Sequence, residues 1–369
     1  MRTVIHSYRS PFIRKQLPSQ ARPPSFSKTQ SDIMKLNALN IAFFTTLGAA
    51  TAVPPTGVTP LRHEAQKKNI TIGSGAINPN YLNDTVFAAV LAQQFNSLSP
   101  ENELKWEEVN PSEGVYDWSG LDRLVAFAET NDMVVKGHGL ISGCCNPDYV
   151  TKITDRAALN DAMTSHFTAV MHRYAGKMDR WDVVTEAFEV LNGTLAHNFF
   201  YNISGPGYIE DAFRIARAAA PNATLFINEN QVEFYHDKRQ GLYNLVADLV
   251  AKGVPIDGVA LQMHETFYAP TPGVITEMVK SYHALGLEVT IAELDVHTLN
   301  NTAETEIYGA VIREALDAGI TDISFWGFTD KHLYTWIPGA QPLMFNANYT
   351  AKSEFYATRE ALADFVDEC

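Results

Sequence analysis

The chain has 369 residues, 46% of them hydrophobic and 19% charged, with 28 Lys/Arg against 42 Asp/Glu and a formal charge of −14. That apolar share supports a large core and excludes wholesale disorder, and the length suits one large α/β unit as readily as two average domains. The acidic balance argues against nucleic acid or an anionic membrane as partner.

Residues 1–33 are rich in Arg, Ser, Pro and Gln, show little apolar periodicity, and read as an unstructured extension that translation from Met34 would omit. Met34-Lys35 then opens a stretch with few polar groups, 36–47, closed by Ala50-Thr51-Ala52. A basic start, a short apolar segment and a small-x-small end predict a secretory signal peptide over 34–52, too short to remain as a membrane anchor. An Arg- and Ser-rich mitochondrial-type leader starting at Met1 is the alternative. Seven Asn-x-Ser/Thr sequons, at Asn69, Asn83, Asn192, Asn202, Asn222, Asn300 and Asn348, add to the expectation of a secreted, extracellular glycoprotein. Without residues 1–52, which hold seven Lys/Arg and one Asp, 21 basic against 41 acidic residues remain, a formal charge of −20.

From about residue 70, strand-like runs alternate with longer amphipathic ones. The runs are ITIGSGA (70–76), FNSLSP (95–100), MVVKGHG (133–139), WDVVTE (181–186), ATLFINE (223–229), DGVALQMH (257–264), EVTIAEL (288–294) and ISFWGF (323–328). Between them, segments at 121–131, 155–175, 208–220, 235–251, 274–285 and 304–318 carry apolar residues at three- and four-residue steps. Eight strands alternating with helices predict an α/β fold, a (β/α)8 barrel, over a single catalytic domain at 53–369. A doubly wound open sheet is the competing architecture, but no Gly-x-Gly-x-x-Gly turn follows the first strand.

Two of these runs carry an acid at or near their carboxyl end, Glu186 in WDVVTEAF and Glu293 in VTIAELDVH. In a barrel that rim holds the chemistry, and a carboxylate pair there is what glycoside hydrolysis requires: one group protonates the leaving oxygen while the other attacks or stabilises the oxocarbenium-like carbon. The competing reading of each is a helix-capping acid. Of the three cysteines, Cys144 and Cys145 are adjacent, no metal-ligand spacing is present, and one bridge from this pair to Cys369 is a candidate.

The strand ends, taken in order, resemble those of glycoside hydrolase family 10, whose best-known members are endo-β-1,4-xylanases. The matches are FNSLSPENELKW (95–106), GHGL (137–140), RWDVVTEAF (180–188), YIEDAFRIAR (208–217), DGVALQMH, IAELDVH (291–297) and FWGFTDK (325–331). The resemblance implies Glu186 as general acid/base and Glu293 as nucleophile of a retaining double displacement, which needs carboxyls about 5–5.5 Å apart. It implies His264 and Asp295 as a hydrogen-bonded support of the nucleophile, with Thr185 beside the acid/base. It further implies that Glu101, Asn102 and Lys105 bind the sugar on the non-reducing side, that His138 and Gln262 are polar site positions, and that Trp326 and Trp336 form the aromatic side of the cleft, a core role for Trp326 being equally compatible. A carbohydrate substrate is expected, with no cofactor or metal, no nucleic acid or membrane partner, and a monomeric state.

Thr185 stands where the family has Asn, Ser142-Gly143-Cys144-Cys145 where it has Trp-His-Ser-Gln, and Glu229-Asn230-Gln231 where it has Asp-Tyr-Asn. These departures affect the glycone and leaving-group pockets and leave the two carboxylates intact. An endo-1,4-β-xylanase is therefore expected first. The alternatives are a variant family-10 hydrolase of other β-glycosides such as a plant saponin, or a carbohydrate-binding protein without turnover.

Overall fold

The structure is a computed structural model and describes residues 58–366. The proposed extension at 1–33, the proposed signal peptide at 34–52 and Cys369 lie outside the described residues.

Ten strands follow in chain order: β1 Thr71–Ile77, β2 Ser97–Pro100, β3 Val134–Val135, β4 Ile141–Ser142, β5 Arg180–Thr185, β6 Thr224–Glu229, β7 Gly258–Leu261, β8 His264–Glu265, β9 Glu288–Val296 and β10 Asp322–Phe325. They pair in parallel in the order β3-β2-β1-β10-β9-β7-β6-β5-β4, with β8 also on β9. The ends of this path meet, because the chain leaving β3 runs on beside β5. Gly137 N–H donates to Arg180 O and Asp182 N–H to Gly137 O, both at 2.8 Å, and Leu140 N–H donates to Asp182 O at 3.0 Å. A side chain at 137 would run into the Trp181 ring, so only glycine lets the two strands close. β3 with β4, and β7 with β8, are thus two barrel staves each interrupted near its end, and the ten pieces make the expected (β/α)8 barrel.

The six predicted helices appear within a few residues of their expected bounds, as Ser119–Thr130, Arg156–Arg173, Gly207–Ala219, His236–Ala251, Val274–His283 and Asn301–Asp317. Their buried stripes cover the outward side chains of the strands, and this layer between sheet and helices is the main core. Sequence reading missed Thr85–Gln94, whose apolar residues TVFAAVLAQQ form no single stripe, and the terminal pair Leu61–Gln66 and Ser353–Asp364. Asp84 caps the first of these by accepting from the Val86 and Phe87 amides. No helix of the described residues is long and apolar enough to cross a membrane.

The barrel interior is polar below the rim. Lys136 pairs with Asp322 and donates to Ser324 Oγ at 2.7 Å, and a cavity of about 30 Å³ lies among Lys136, Arg180, Asp182 and Asp322.

Candidate active site

Simple alternation along the strands would not build this site; three irregularities do. In β9, Thr290 and Ala292 line the interior cavity while Ile291 packs outward, so strict two-residue periodicity would turn Glu293 toward the helices. The pairing with β10 slips between Ile323↔Ile291 and Phe325↔Leu294, so that Ala292 and Glu293 together oppose Ser324. This bulge resets the parity and sends Glu293, then Asp295, to the interior. In β5 the register slips between Asp182↔Phe226 and Val184↔Ile227, which carries the inward face from Asp182 to Thr185, opposite Asn228. A third slip in β1 lies between Ser74 and Ile77.

Glu186 follows β5 with left-handed backbone, φ 56°, and its side chain is exposed. Gln231, Met263 and Cys145, each just past a strand end, share that conformation at φ 57°, 62° and 62°. Non-glycine residues adopt it at a cost, and such strain collects where a side chain must be re-aimed at a functional site.

The two carboxylates are joined through a pair of amides. Gln262 Nε2 donates to Glu186 Oε1 at 3.2 Å and to Asn228 Oδ1 at 2.9 Å, and Asn228 Nδ2 donates to Glu293 Oε1 at 2.9 Å. Glu293 is 4% exposed, so its charge must be met by the protein. His264 Nε2 lies 3.3 Å from Glu293 Oε2, and His264 Nδ1 lies 2.8 Å from Asp295 Oδ1. His297 Nε2 is 2.9 Å from that same Asp295 oxygen. On the other flank His138 Nδ1 lies 2.9 Å from Asp182 Oδ2 and 3.7 Å from Glu293 Oε1.

Burial alone would raise the Glu293 pKa, but the neighbouring His138 and His264 charges, with the Asn228 amide, outweigh it and hold the carboxyl below its usual range. Burial works against charge on His264 too, yet Asp295 and Glu293 keep its imidazole well above the ordinary value. His138 is raised in the same way by Glu293 and Asp182 against burial. The three groups thus support one another's charge, the carboxyl being biased toward ionisation and both rings toward protonation. His264→Ala removes one of the groups that depress the Glu293 pKa, so that pKa must rise. The acid limb of the kcat/KM profile is expected to move to higher pH, and an unmoved limb would show that His264 does not act on Glu293.

The other expected positions gather on the same rim. Glu101, Asn102 and Lys105 lie on the turn after β2, and Lys105 Nζ donates to Asn102 Oδ1 at 2.7 Å. Trp326 is partly buried edge-on to His138 and His264, with centroids 5.1 and 6.4 Å away, and so walls the site. Trp336 is 46% exposed and stacks on His297 at 3.7 Å. Thr185 is buried and its hydroxyl has no hydrogen-bonding partner in the protein. Asn228, Asp182 and His297 were not singled out from sequence. The available signal was a polar residue inside an otherwise apolar strand run, which must find a buried partner.

One expectation is corrected. Cys144 and Cys145 are bonded to each other, so neither sulfur is left to bridge to Cys369. This pair sits on the rim after β4, anchored where Glu107 N–H donates to Cys145 O at 2.9 Å. The Glu229-Asn230-Gln231 segment closes β6 beside the site, with Asn230 and Gln231 half-buried. Glu229 is fully buried, and Gln231 Nε2 donates to His264 O at 2.8 Å. Among the described residues the one cluster with metal-ligating geometry is His264, Asp295 and His297, whose ligand atoms lie within 4.8 Å of one another. The short contacts among these groups and to Glu293 already account for that arrangement.

The model of glycosyl hydrolase family 10 matches residues 60–361, nearly all of the described chain. The chain belongs to glycosyl hydrolase family 10. It is a glycoside hydrolase, similar to endo-1,4-β-xylanases of that family. Endo-1,4-beta-xylanase B of Thermotoga neapolitana is 33% identical over 84% of this chain and 93% of its own length. A beta-1,4-xylanase of Dictyoglomus thermophilum is 34% identical over 80% and 90%. Among solved structures, native xylanase 10B of Thermotoga maritima has a TM-score of 0.77 at 35% identity, covering 82% of this chain and 98% of that one. Xylanase 10B of Thermotoga petrophila, solved in complex with xylobiose, has a TM-score of 0.78 at 34% identity, covering 83% and 97%. The family-10 frame accounts for the barrel rim as the place of chemistry, with Glu186 just past the fourth stave and Glu293 near the end of the seventh.

Proposed function

We propose that this family-10 hydrolase is a secreted, retaining enzyme that cleaves β-1,4-xylan internally. The single observation that carries the hydrolase reading is the Gln262–Asn228 amide pair, which links the two carboxyl groups into one site; retention is supported by the family to which the chain belongs. In the first step the Glu293 carboxylate attacks that carbon, the glycosidic C–O bond breaks, and the leaving oxygen takes the Glu186 proton. In the second step Glu186 removes a proton from water, whose oxygen displaces Glu293 and restores both groups. The xylobiose named for the Thermotoga petrophila structure, and the xylanase names of the relatives, support a xylan backbone as the substrate here. Secretion is supported by the sequons: all seven asparagines are exposed, as N-glycosylation requires.

A second reading rests on the rim itself. The segment Ser142-Gly143-Cys144-Cys145 offers the glycone side no aromatic ring, imidazole or carboxamide, while Phe267, Tyr268, Leu299 and Tyr334 stand more than 60% exposed on loops past β8, β9 and β10. That combination suits a β-glycoside with an apolar aglycone, such as a saponin, better than a long hydrated polysaccharide. Product analysis decides between them. Release of xylo-oligosaccharides from xylan supports the first reading. Xylan left intact while a glycosylated sterol loses sugar would replace it with the second, and no turnover of either with no labelling by any fluoro-sugar would indicate a binder.

A further inference from the structure

The catalytic scheme leaves one fully buried ion pair unused. Glu229, the last residue of β6, and Lys238, in the first turn of the helix His236–Ala251, are both 0% exposed, with Nζ 2.8 Å from Oε1. Since Asn228 faces the barrel interior, Glu229 points the other way, into the layer between strands and helices. Taking two charges out of water there is costly, and breaking such a pair is costlier still.

The pair is wired to the acid/base. Glu229 Oε2 accepts from the Phe188 amide at 3.1 Å and Oε1 from the Asn230 amide at 3.1 Å, while Lys238 Nζ also donates to Asn230 Oδ1 at 2.6 Å. Phe188 lies two residues beyond Glu186, whose own amide donates to Asn228 O at 2.9 Å. The short piece of chain bearing the left-handed Glu186 is therefore tied at both sides to the end of β6. The same helix touches that loop a second time. Any side chain on Gly241 would collide with Gly193 and the Phe188 ring, so helix and loop meet backbone to backbone.

We propose that Lys238, acting through Glu229, is a positioning residue for the acid/base: the buried pair grips the Phe188 amide and fixes the turn that aims Glu186 at the leaving oxygen. This rests on the reading of Glu186 as acid/base. The neutral double variant Glu229→Gln/Lys238→Met keeps the volume of the pair without stranding a charge, and Lys238→Arg restores the cation. Each is assayed beside Glu186→Ala on aryl β-glycosides of the sugar that the wild-type enzyme releases, carrying either 2,4-dinitrophenol or phenol. The double variant is expected to lose about 100-fold in kcat/KM on the phenyl substrate, the scale of a small misplacement of a catalytic group, with little change in kcat/KM on the dinitrophenyl substrate. Lys238→Arg is expected to recover part of that loss. Equal losses on both substrates, or none, would overturn the proposal and leave the pair a structural feature only. If Glu186→Ala itself shows no leaving-group discrimination, the acid/base reading fails first, and the positioning role falls with it.

Discussion

Glu293→Ala is expected to abolish turnover, lowering kcat by on the order of 10⁵-fold or more, the scale seen when a catalytic nucleophile is removed. The side chain is buried, it accepts from Asn228, and its other oxygen faces His264, so its charge is met from both sides. Alanine leaves the Gln262–Asn228 chain and Glu186 in place, and a folded protein, checked by circular dichroism, is expected. A small anion such as azide added to this variant should then attack from the vacated side and give a glycosyl azide of inverted configuration. A variant that keeps appreciable turnover on an activated aryl glycoside without azide would remove Glu293 from its role. Labelling of the native enzyme by a 2-fluoro sugar at any other residue would do the same.

Glu186→Ala gives the second large effect, and its sign depends on the leaving group. A dinitrophenolate departs without a proton, so the first step is expected to be nearly spared. A phenyl or sugar leaving group needs protonation, and about 10³-fold is expected to be lost there, within the usual range for general acid catalysis. Loss of the base also slows release of the glycosyl-enzyme, and azide is expected to speed that second step with retained configuration. Exposed Glu186 has one side-chain hydrogen bond, from Gln262, so its removal disturbs little of the core. Equal losses on both substrate types would contradict the acid role.

Much of this molecule is legible in the sequence because its long-period signals are clean. All eight strand runs and six amphipathic helices recur in the barrel, since buried parallel strands and one-faced helices leave strong patterns. The carboxylates Glu186 and Glu293 stand out because each belongs to a run whose wording matches a known family. What the sequence hides is parity. The bulge at Ala292–Glu293 and the slip at Val183 decide which side chains meet inside, and neither leaves a trace in composition. Asn228 and Asp182 therefore read as strand interior, although they hold Glu293 and His138. Pairing of adjacent cysteines was likewise not the arrangement that spacing suggested, because a bridge to the distant Cys369 was weighed instead.

The left-handed residues past the strand ends carry an implication for heat. Glu186, Gln231, Met263 and Cys145 each hold an unfavourable backbone shape, and Gln262 Oε1 and the buried carboxyl groups of Glu233 and Glu265 have no hydrogen-bonding partner in the protein. The layer outside the strands is held chiefly by apolar side chains, which make no such demand. Warming should thus erode the mouth of the barrel while its wall still stands, so that the enzyme falls silent at temperatures where its far-ultraviolet dichroism is still that of the native protein.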